Sequence, residues 1–381
     1  MKRTARVVAL AGVMTLALGA CGDRPEENTG SSDPSETSAA SSPTEEEETT
    51  ESTSAPPEGN ADFKACMVSD SGGFDDKSFN QTSHDGLEAA VQKLGIKSGE
   101  VESQSDSEYA DNISALIRED CSIVVTVGFL LGEATEVAAK QNPKVDFAIV
   151  DFGYPKPPEN VRGLSFNTAE PSFMAGYLAA GMTQTGLVGT FGGAKIPTVT
   201  VFMDGYWEGV NYYNEQNDTD VQVIGWDEKT QEGSFTDDFE DKIKGQTTAE
   251  TMIQQGADII FPVAGPAGLG ALQAAKDSGG DVNAIWVDTD GCVSAAEYCD
   301  VLLSSVMKGM DTAVEDAITD SYNKEFTNEP YVGTLDNGGV QLAPYHEFDD
   351  DIPQELKDEI EQLKQDLVSG EIKVTSPSAP Q

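Results

Sequence analysis

The sequence predicts an α/β protein with two lobes, each an open, mostly parallel sheet flanked by helices. Short apolar runs typical of buried strands alternate with longer segments in which apolar residues recur at helical spacing. This alternation is the pattern of parallel β-α-β units. From residue 61 onwards the chain has about 320 residues, more than a single hydrophobic core usually organises. The alternation also begins afresh midway, so we expect two lobes of similar topology.

The first series of elements indicates five strands and three helices. Continuous apolar runs are typical of parallel strands buried on both faces. The first helix carries an apolar stripe that includes Leu87, Val91 and Leu94. In chain order, the predicted elements are strand 63–68, helix 83–94, strand 101–103, helix 109–118, strand 122–127, a helix ending at 139, strand 147–150 and strand 163–166.

The second series repeats the same alternation. Its longest helix places Phe202, Tyr206 and Val210 along one side. The predicted elements are helix 171–182, strand 187–191, helix 199–216, strand 221–226, helix 244–255, strand 259–263, helix 268–275, strand 284–287, strand 301–306, helix 312–322 and helix 350–368.

The N-terminal residues are typical of export. Lys2, Arg3 and Arg6 precede an apolar stretch that is too short to span a membrane comfortably. Small residues then stand directly before Cys21, an arrangement that resembles the lipobox of bacterial lipoproteins. We therefore expect residues 1–20 to be a signal peptide and Cys21 to carry lipid, anchoring the protein to the extracytoplasmic face of the cell membrane.

Composition divides the remainder into a linker and a folded body. The linker, 21–60, has no aromatic residue and is dense in Ser, Thr, Pro and Glu, so it cannot bury enough apolar surface to fold. We expect the first lobe to comprise 61–165 plus about 289–345. The second lobe would comprise 166–288 and part of the C-terminal region.

Charge and residue types argue against several classes of function. A net charge of −44 opposes nucleic-acid binding and opposes adhesion of the body to anionic lipid. The chain has two histidines, His84 and His346, and no CxxC pair, so we expect neither a zinc site nor another metal site. It also has no phosphate-binding loop or serine-hydrolase motif, and we expect no cofactor and no enzymatic activity.

Four further cysteines indicate disulfides in an exported chain. Cys292 and Cys299 enclose six residues, a spacing that permits a local bond. Cys66 and Cys121 both stand at the entrance of predicted strands and would pair if those strands are neighbours. We expect the pairs Cys66–Cys121 and Cys292–Cys299.

Polar and aromatic residues follow the predicted strands directly, where ligands bind in open α/β sheets. The segment after the first strand holds Asp70, Asp76, Phe79 and Asn80. Later strand ends carry the remaining candidates, which are Glu133, Asp151, Phe235, Gly265, Asp288 and Lys308.

Several of these segments resemble the basic membrane protein family of substrate-binding lipoproteins. The similar motifs are Gly-Gly-Phe-Asp-Asp-Lys-Ser-Phe-Asn-Gln, Val-Gly-Phe-Leu, Phe-Ala-Ile-Val-Asp, Gly-Ser-Phe-Thr-Asp and Ala-Gly-Pro-Ala-Gly. They occur in the family's order from about Lys64 to Lys308. The resemblance implies a type I periplasmic-binding fold with three crossovers, a purine nucleoside ligand and delivery to the permease of an ABC importer.

The resemblance also implies roles for individual residues. Phe79 and Phe235 would sandwich a planar base between the lobes. Asp288 and Lys308 would hold the ribose hydroxyls. The first-lobe polar set would be Asp70, Asp76 and Asn80, and Gly265 lies in the matching Ala-Gly-Pro-Ala-Gly segment.

The residue that reads the base edge stays open between Glu133 and Asp151. The family's Gly-Phe segment is expected to have Asp where this chain has Glu133, which leaves the base preference open. The prediction from sequence is a monomeric nucleoside-binding lipoprotein, with a receptor for another polar solute such as a sugar, or an extracellular sensor, as the alternative.

Overall fold

A computed structural model describes residues 62–380. The predicted signal peptide 1–20, the lipidated Cys21 and the linker 21–60 lie outside the described residues. Within residues 62–380, no helix is both long enough and apolar enough to cross a membrane.

The first sheet is entirely parallel and combines the first predicted series with one strand from near the C-terminus. Its strands are β1 (Lys64–Ser69), β2 (Lys97–Glu102), β3 (Ile123–Val127), β4 (Asp146–Val150), β5 (Val161–Phe166) and β13 (Tyr331–Gly333). They are arranged in the order β13-β5-β4-β3-β1-β2. The central strands β1, β3 and β4 are buried almost throughout, as their apolar runs predict.

The second sheet is built from the second series. Its strands are β6 (Leu187–Gly192), β7 (Gln222–Ile224), β10 (Ile259–Val263), β11 (Asn283–Asp288), β12 (Leu302–Lys308) and β14 (Val340–Leu342). Their order is β14-β12-β11-β10-β6-β7, and only β14 runs antiparallel. A separate hairpin pairs β8 (Trp226–Asp227) with β9 (Glu232–Gly233). Two mostly parallel sheets with helices on them confirm the predicted two-lobed α/β fold.

Helices cover both faces of each sheet. They are α1 (Phe79–Leu94), α2 (Tyr109–Arg118), α3 (Gly132–Gln141), α4 (Ala169–Met182), α5 (Pro197–Asn217), α6 (Lys242–Gln254), α7 (Gly268–Asp277), α8 (Gly291–Ser294), α9 (Met310–Asn323) and α10 (Gln354–Ser369). One apolar cluster joins the first sheet to α2 and α3, and a second joins the second sheet to α6 and α7. A third cluster is continuous across the opposite faces of both sheets, where α1, α4, α5, α9 and α10 pack.

The lobe boundary expected near residue 289 differs from the sheet membership. Strands β12 and β14 belong to the second sheet, although the first lobe was expected to include about 289–345. Strand β12 follows β11 through a short helical connection and pairs in parallel beside it, as successive parallel strands usually do. From this segment the first sheet receives β13, and α9 packs against α1. The chain therefore passes three times between the sheets, after β5, β12 and β13.

Two elements at sheet edges differ from the predicted bounds. Edge strand β2 begins at Lys97 rather than at 101. The sequence did not indicate its first residues as a strand, because exposed polar residues alternate there with half-buried ones instead of forming an apolar run. The predicted strand 221–226 is divided into β7 and β8 at Gly225, whose φ of +87° only glycine adopts readily.

Both predicted cysteine pairs are bonded in the structure. Strands β1 and β3 are neighbours, which brings the Cα atoms of Cys66 and Cys121 to 6.0 Å. The Cα atoms of Cys292 and Cys299 lie 4.6 Å apart across the short helical connection that precedes β12.

Candidate ligand-binding site

A cavity lies between the two sheets, at the carboxyl ends of their strands. It comprises about 640 Å³ of space that protein atoms do not occupy, part of it open to solvent. From the first-lobe side it is lined by Asp70, Ser71, Asp76, Phe79, Asn80, Phe129, Leu130 and Asp151. From the second-lobe side it is lined by Ile196, Thr198, Val199, Phe202, Phe239, Val263, Ala264, Gly265, Pro266, Val287, Asp288 and Lys308.

A buried charged cluster crosses this cavity. Lys308, the last residue of β12, places its Nζ 2.6 Å from Oδ2 of Asp151 and 3.3 Å from Oδ1 of Asp288. All three side chains are less than one-tenth exposed. The other carboxylate oxygen of Asp288 accepts a hydrogen bond of 2.8 Å from the Ser78 hydroxyl. Since Ser78 and Asp151 belong to the first lobe, these contacts join the lobes across the cavity.

The backbone at two strand ends positions the carboxylates. Asp151 directly follows β4 with a φ of +63°, and Asp288 ends β11 with a φ of +70°. Residues other than glycine adopt this left-handed conformation rarely, and aspartate tolerates it better than most. Strained backbone held by buried structure is typical of ligand sites, so this geometry supports a functional role for both residues.

Burial and pairing set the protonation of the cluster. Burial on its own would lower the pKa of Lys308, but the charges and hydrogen bonds of Asp151 and Asp288 outweigh this and raise the pKa. Burial raises the pKa of Asp151, and the adjacent ammonium of Lys308 opposes that rise. Lys308 is therefore a cation held between two carboxyl groups.

Asp76 lines the cavity, but its oxygen atoms are engaged with the backbone. Oδ1 accepts from the N–H groups of Ser78 and Gln81 at 2.9 and 3.0 Å, and Oδ2 accepts from that of Asn80 at 2.9 Å. The carboxylate thus fixes the first turn of α1. Burial raises the pKa of Asp76 to about 6, although these three hydrogen bonds act in the opposite direction.

Asp70 and Asn80 form a second polar group in the cavity. Nδ2 of Asn80 donates to Oδ1 of Asp70 at 3.0 Å and to the carbonyl of Ser71 at 3.2 Å. Burial raises the pKa of Asp70 to about 8; the hydrogen bond from Asn80 opposes this rise, and nearby acidic groups add to it. The Oδ1 atom of Asn80 is buried and has no hydrogen-bond partner among the described residues.

Aromatic rings form the apolar part of the lining. Nζ of Lys308 lies 5.0 Å from the ring centroids of both Phe79 and Phe202, within the range of cation–π contacts. Phe129 and Phe239 also line the cavity. In the sequence, Phe202 belongs to the apolar stripe of a helix, and only the tertiary structure shows that it lines the cavity.

Phe235 does not line the cavity, contrary to the role implied for it. It forms an isolated bridge with Gly192 and packs edge-on against Trp226, with 6.0 Å between the ring centroids. Beyond it, backbone hydrogen bonds from Thr236 and Asp238 to Gly192 and Gly193 hold the loop. This course of the chain brings Phe239, four residues later, into the cavity instead.

Glu133 is also outside the cavity. It lies on α3 with its side chain exposed, one turn beyond the cavity-lining residues Phe129 and Leu130. Of the two alternatives for reading the base edge, only Asp151 therefore lines the cavity. Gly265, with a φ of +50°, lines the cavity from the second lobe. Asp70, Asp76, Phe79 and Asn80 line it from the first lobe, as predicted.

Two α/β lobes whose strand ends meet at a buried polar and aromatic cavity define a two-lobed solute-binding protein. The chain belongs to the Bmp family, described as PnrA-like substrate-binding proteins of ABC transporters, whose family model matches residues 63–378. This finding confirms the resemblance seen in the sequence motifs.

Individual relatives agree with this membership. The chain is 33% identical to the CD4+ T-cell-stimulating antigen of Listeria monocytogenes, over 82% of this chain and 88% of that protein. It is 31% identical to the ABC transporter nucleoside-binding protein BmpA of Lactococcus lactis, over 83% of this chain and 90% of that protein. Basic membrane protein A of Borreliella burgdorferi is also 31% identical, over 82% of this chain and 88% of that protein.

Solved structures share the fold. A solute-binding protein of an ABC transporter system from Aeropyrum pernix matches with a TM-score of 0.75 and 27% identity, over 83% of this chain and 94% of that one. A solute-binding protein from Conexibacter woesei, at 22% identity and a TM-score of 0.64, covers 84% of this chain and 100% of that one and shows the same fold.

Proposed function

We infer that this protein captures a purine nucleoside in the cavity between its lobes and delivers it to the permease of an ABC importer. The observation that carries this inference is the joint lining of the cavity by flat aromatic rings and by the buried Asp151–Lys308–Asp288 cluster. A nucleoside has a planar base and a ribose rich in hydroxyl groups, and these match the two kinds of lining. The name of the Lactococcus lactis relative, a nucleoside-binding protein, supports the same ligand class.

The base would lie between aromatic side chains from opposite lobes. Phe79 begins α1 on the first lobe, and Phe239 belongs to the loop before α6 on the second. Stacking of a base on an aromatic ring contributes roughly 1–3 kcal/mol per base in other proteins. We therefore assign to Phe239 the second stacking role that the sequence resemblance implied for Phe235.

The ribose would be held by the charged cluster. An ammonium group has three N–H donors, and the two carboxylates around Lys308 account for two of them. The third donor can bind a hydroxyl oxygen, while Asp288 can accept a hydrogen bond from a hydroxyl group. Because Lys308 and Asp288 belong to the second lobe and Asp151 and Ser78 to the first, a ligand at this cluster would contact both lobes.

Capture would follow lobe closure, and no bond in the ligand would be made or broken. Two-lobed binding proteins close by hinge motion around their ligands. The closed form would then dock on the permease from the extracytoplasmic face, tethered by lipid on Cys21.

A Cys21→Ser variant should lose its membrane attachment and appear in the soluble fraction, whereas the matched Ser41→Ala variant in the linker should remain attached.

Ligand identity can be tested on the purified body with adenosine, guanosine, inosine, ribose, galactose and amino acids. We expect the nucleosides alone to raise the melting temperature, because a ligand at a hundredfold excess over its Kd adds about 2.7 kcal/mol to stability. Native mass spectrometry of untreated protein should show the mass of a co-purified nucleoside. A shift with a sugar or an amino acid, and none with any nucleoside, would refute the proposed ligand class.

A further inference from the structure

The four carboxyl groups that line the cavity differ in how far neighbouring protein groups stabilise their negative charge. The ammonium of Lys308 contacts Asp151 and Asp288, and three backbone N–H groups bind Asp76. Asp70 receives a single hydrogen bond, from the neutral amide of Asn80 to its Oδ1 atom. No other hydrogen bond to its carboxyl group occurs among the described residues. Asp70 is also the only one of these four residues that is partly exposed, so an ionised Asp70 would lose its solvent contacts without compensation when a ligand fills the cavity.

Among the residues that the structure describes, the charged groups that act on Asp70 supply no positive charge. The charged groups acting on it from the adjacent loop, the end of β4 and the segment before α6 are Asp76, Asp151 and Glu240, all acidic. From α2 the phenol of Tyr109 faces it, and burial raises the pKa of that phenol, so it stays neutral. Lys308 is directed to the other two carboxylates. Burial, reinforced by the acidic neighbours, raises the pKa of Asp70 to about 8.

The local backbone leaves room for the second oxygen of this carboxyl group. Oδ2 of Asp70 lies against the Cα of Gly128, at the end of β3, where a side-chain Cβ would come within 2.1 Å of it. Gly128 has a φ of +123°, which glycine adopts without strain. The Oδ1 atom is engaged by Asn80, so a proton on this carboxyl group would reside on Oδ2.

We propose that Asp70 binds the ligand as a neutral carboxylic acid, whose Oδ2–H group donates a hydrogen bond to an acceptor atom of the nucleoside. This inference rests on the proposed function and adds a requirement to it: the ligand presents an unprotonated oxygen or ring nitrogen to Asp70. It follows that binding is linked to a proton. Affinity falls as the pH rises and Asp70 ionises, because the carboxylate cannot donate and would repel the acceptor.

Adenosine is the suitable probe, because its base has no group that ionises near neutral or mildly alkaline pH. Calorimetric titrations between about pH 7 and 9, above the pKa of about 6 of Asp76, should show an affinity that falls by up to about tenfold per pH unit in the upper part of this range. Asp70→Asn places an amide N–H where the acid has its O–H, so its affinity should be nearly independent of pH. Asp70→Ala has no donor, and its affinity should be weaker than that of Asp70→Asn at every pH. Asp111→Asn, which removes an exposed carboxylate on α2, should keep the pH profile of the unaltered protein.

Two results would overturn the proposal. One is an adenosine affinity of the unaltered protein that is constant over this pH range; the other is a pH dependence that persists in Asp70→Asn. If adenosine does not bind at any pH, the proposed function fails in that form, but the protonation of Asp70 remains measurable. The ¹³C resonance of its carboxyl group, assigned by comparison with Asp70→Asn, should titrate above about pH 7, and a midpoint near the ordinary value of about 4 would refute the inference.

Discussion

At the scale of single residues, the cavity depends on side chains whose positions are fixed by the end of a strand or the start of a helix. Asp151 and Asp288 adopt positive φ directly at the ends of β4 and β11, and Lys308 ends β12. Phe79 begins α1, whose first turn is held by Asp76. Because a regular element holds each group in place, we expect binding to respond sharply to substitution at these positions.

The three phenylalanines near the cleft provide a direct test of the assigned roles. Phe79→Ala and Phe239→Ala should each weaken nucleoside binding by roughly 1–3 kcal/mol, because each removes a stacking surface. Phe235→Ala should leave affinity nearly unchanged and lower the free energy of unfolding by up to about 3 kcal/mol, because its half-buried ring packs against Trp226. Calorimetric titration and denaturant unfolding on the same preparations separate these effects. Loss of binding in Phe235→Ala, with Phe239→Ala unaffected, would restore the role first implied by the motif.

At the scale of secondary structure, element types follow from local patterns, whereas element ends depend on neighbours. The buried strands β1, β3, β4 and β10 follow from continuous apolar runs, and their predicted positions are nearly those observed. Helix α1 begins at Phe79 rather than at 83, because the side chain of Asp76 binds the N–H groups of its first turn. The apolar stripe at 87–94 contains no information on that capping contact.

The two disulfides close loops of very different length. Cys66–Cys121 joins residues 55 apart and Cys292–Cys299 joins residues 7 apart. On a chain-entropy account, replacing the first pair by alanine should cost about 4 kcal/mol of stability and replacing the second about 2 kcal/mol. Denaturant midpoints of the two double variants would measure this difference, and peptide mapping without reduction would verify both linkages. Free thiols at these positions in the exported protein, or an equal cost for both pairs, would contradict the prediction.

At the scale of the whole molecule, polar contacts join the lobes inside the cleft, in addition to the apolar cluster that is continuous across both sheets. The pairs Lys308–Asp151 and Ser78–Asp288 join the sheets from the two sides of the cavity. Buried ion pairs contribute little net stability, because desolvation offsets much of the attraction. Such contacts are therefore suited to a closure that a ligand can bias in either direction.

Removal of these contacts should open the ligand-free protein. In Asp151→Asn combined with Ser78→Ala, Lys308 and Asp288 lose their partners across the cleft, so we expect a larger radius of gyration in small-angle scattering. Saturating nucleoside should reduce that radius, because ligand contacts with both lobes replace part of what was removed. Lys195→Ala combined with Thr230→Ala, at exposed sites of the second lobe, is the matched control and should scatter like the unaltered protein. Identical scattering of both double variants would show that the cross-lobe contacts do not govern closure.

The sequence alone was enough to predict the α/β class, the two series of elements and both cysteine pairs, and eight of its ten predicted site residues line the cavity. It could do so because strand burial and the position of polar residues after parallel strands are local patterns with a single structural meaning. The tertiary structure alone decided that β12 joins the second sheet, that Phe239 rather than Phe235 reaches the cavity, and that Glu133 does not. Those outcomes depend on the direction that the chain takes after a strand and on the residues against which it then packs. Among the described residues, the charged groups that act on Asp70 are all acidic and include residues from distant parts of the chain, which only the fold brings together.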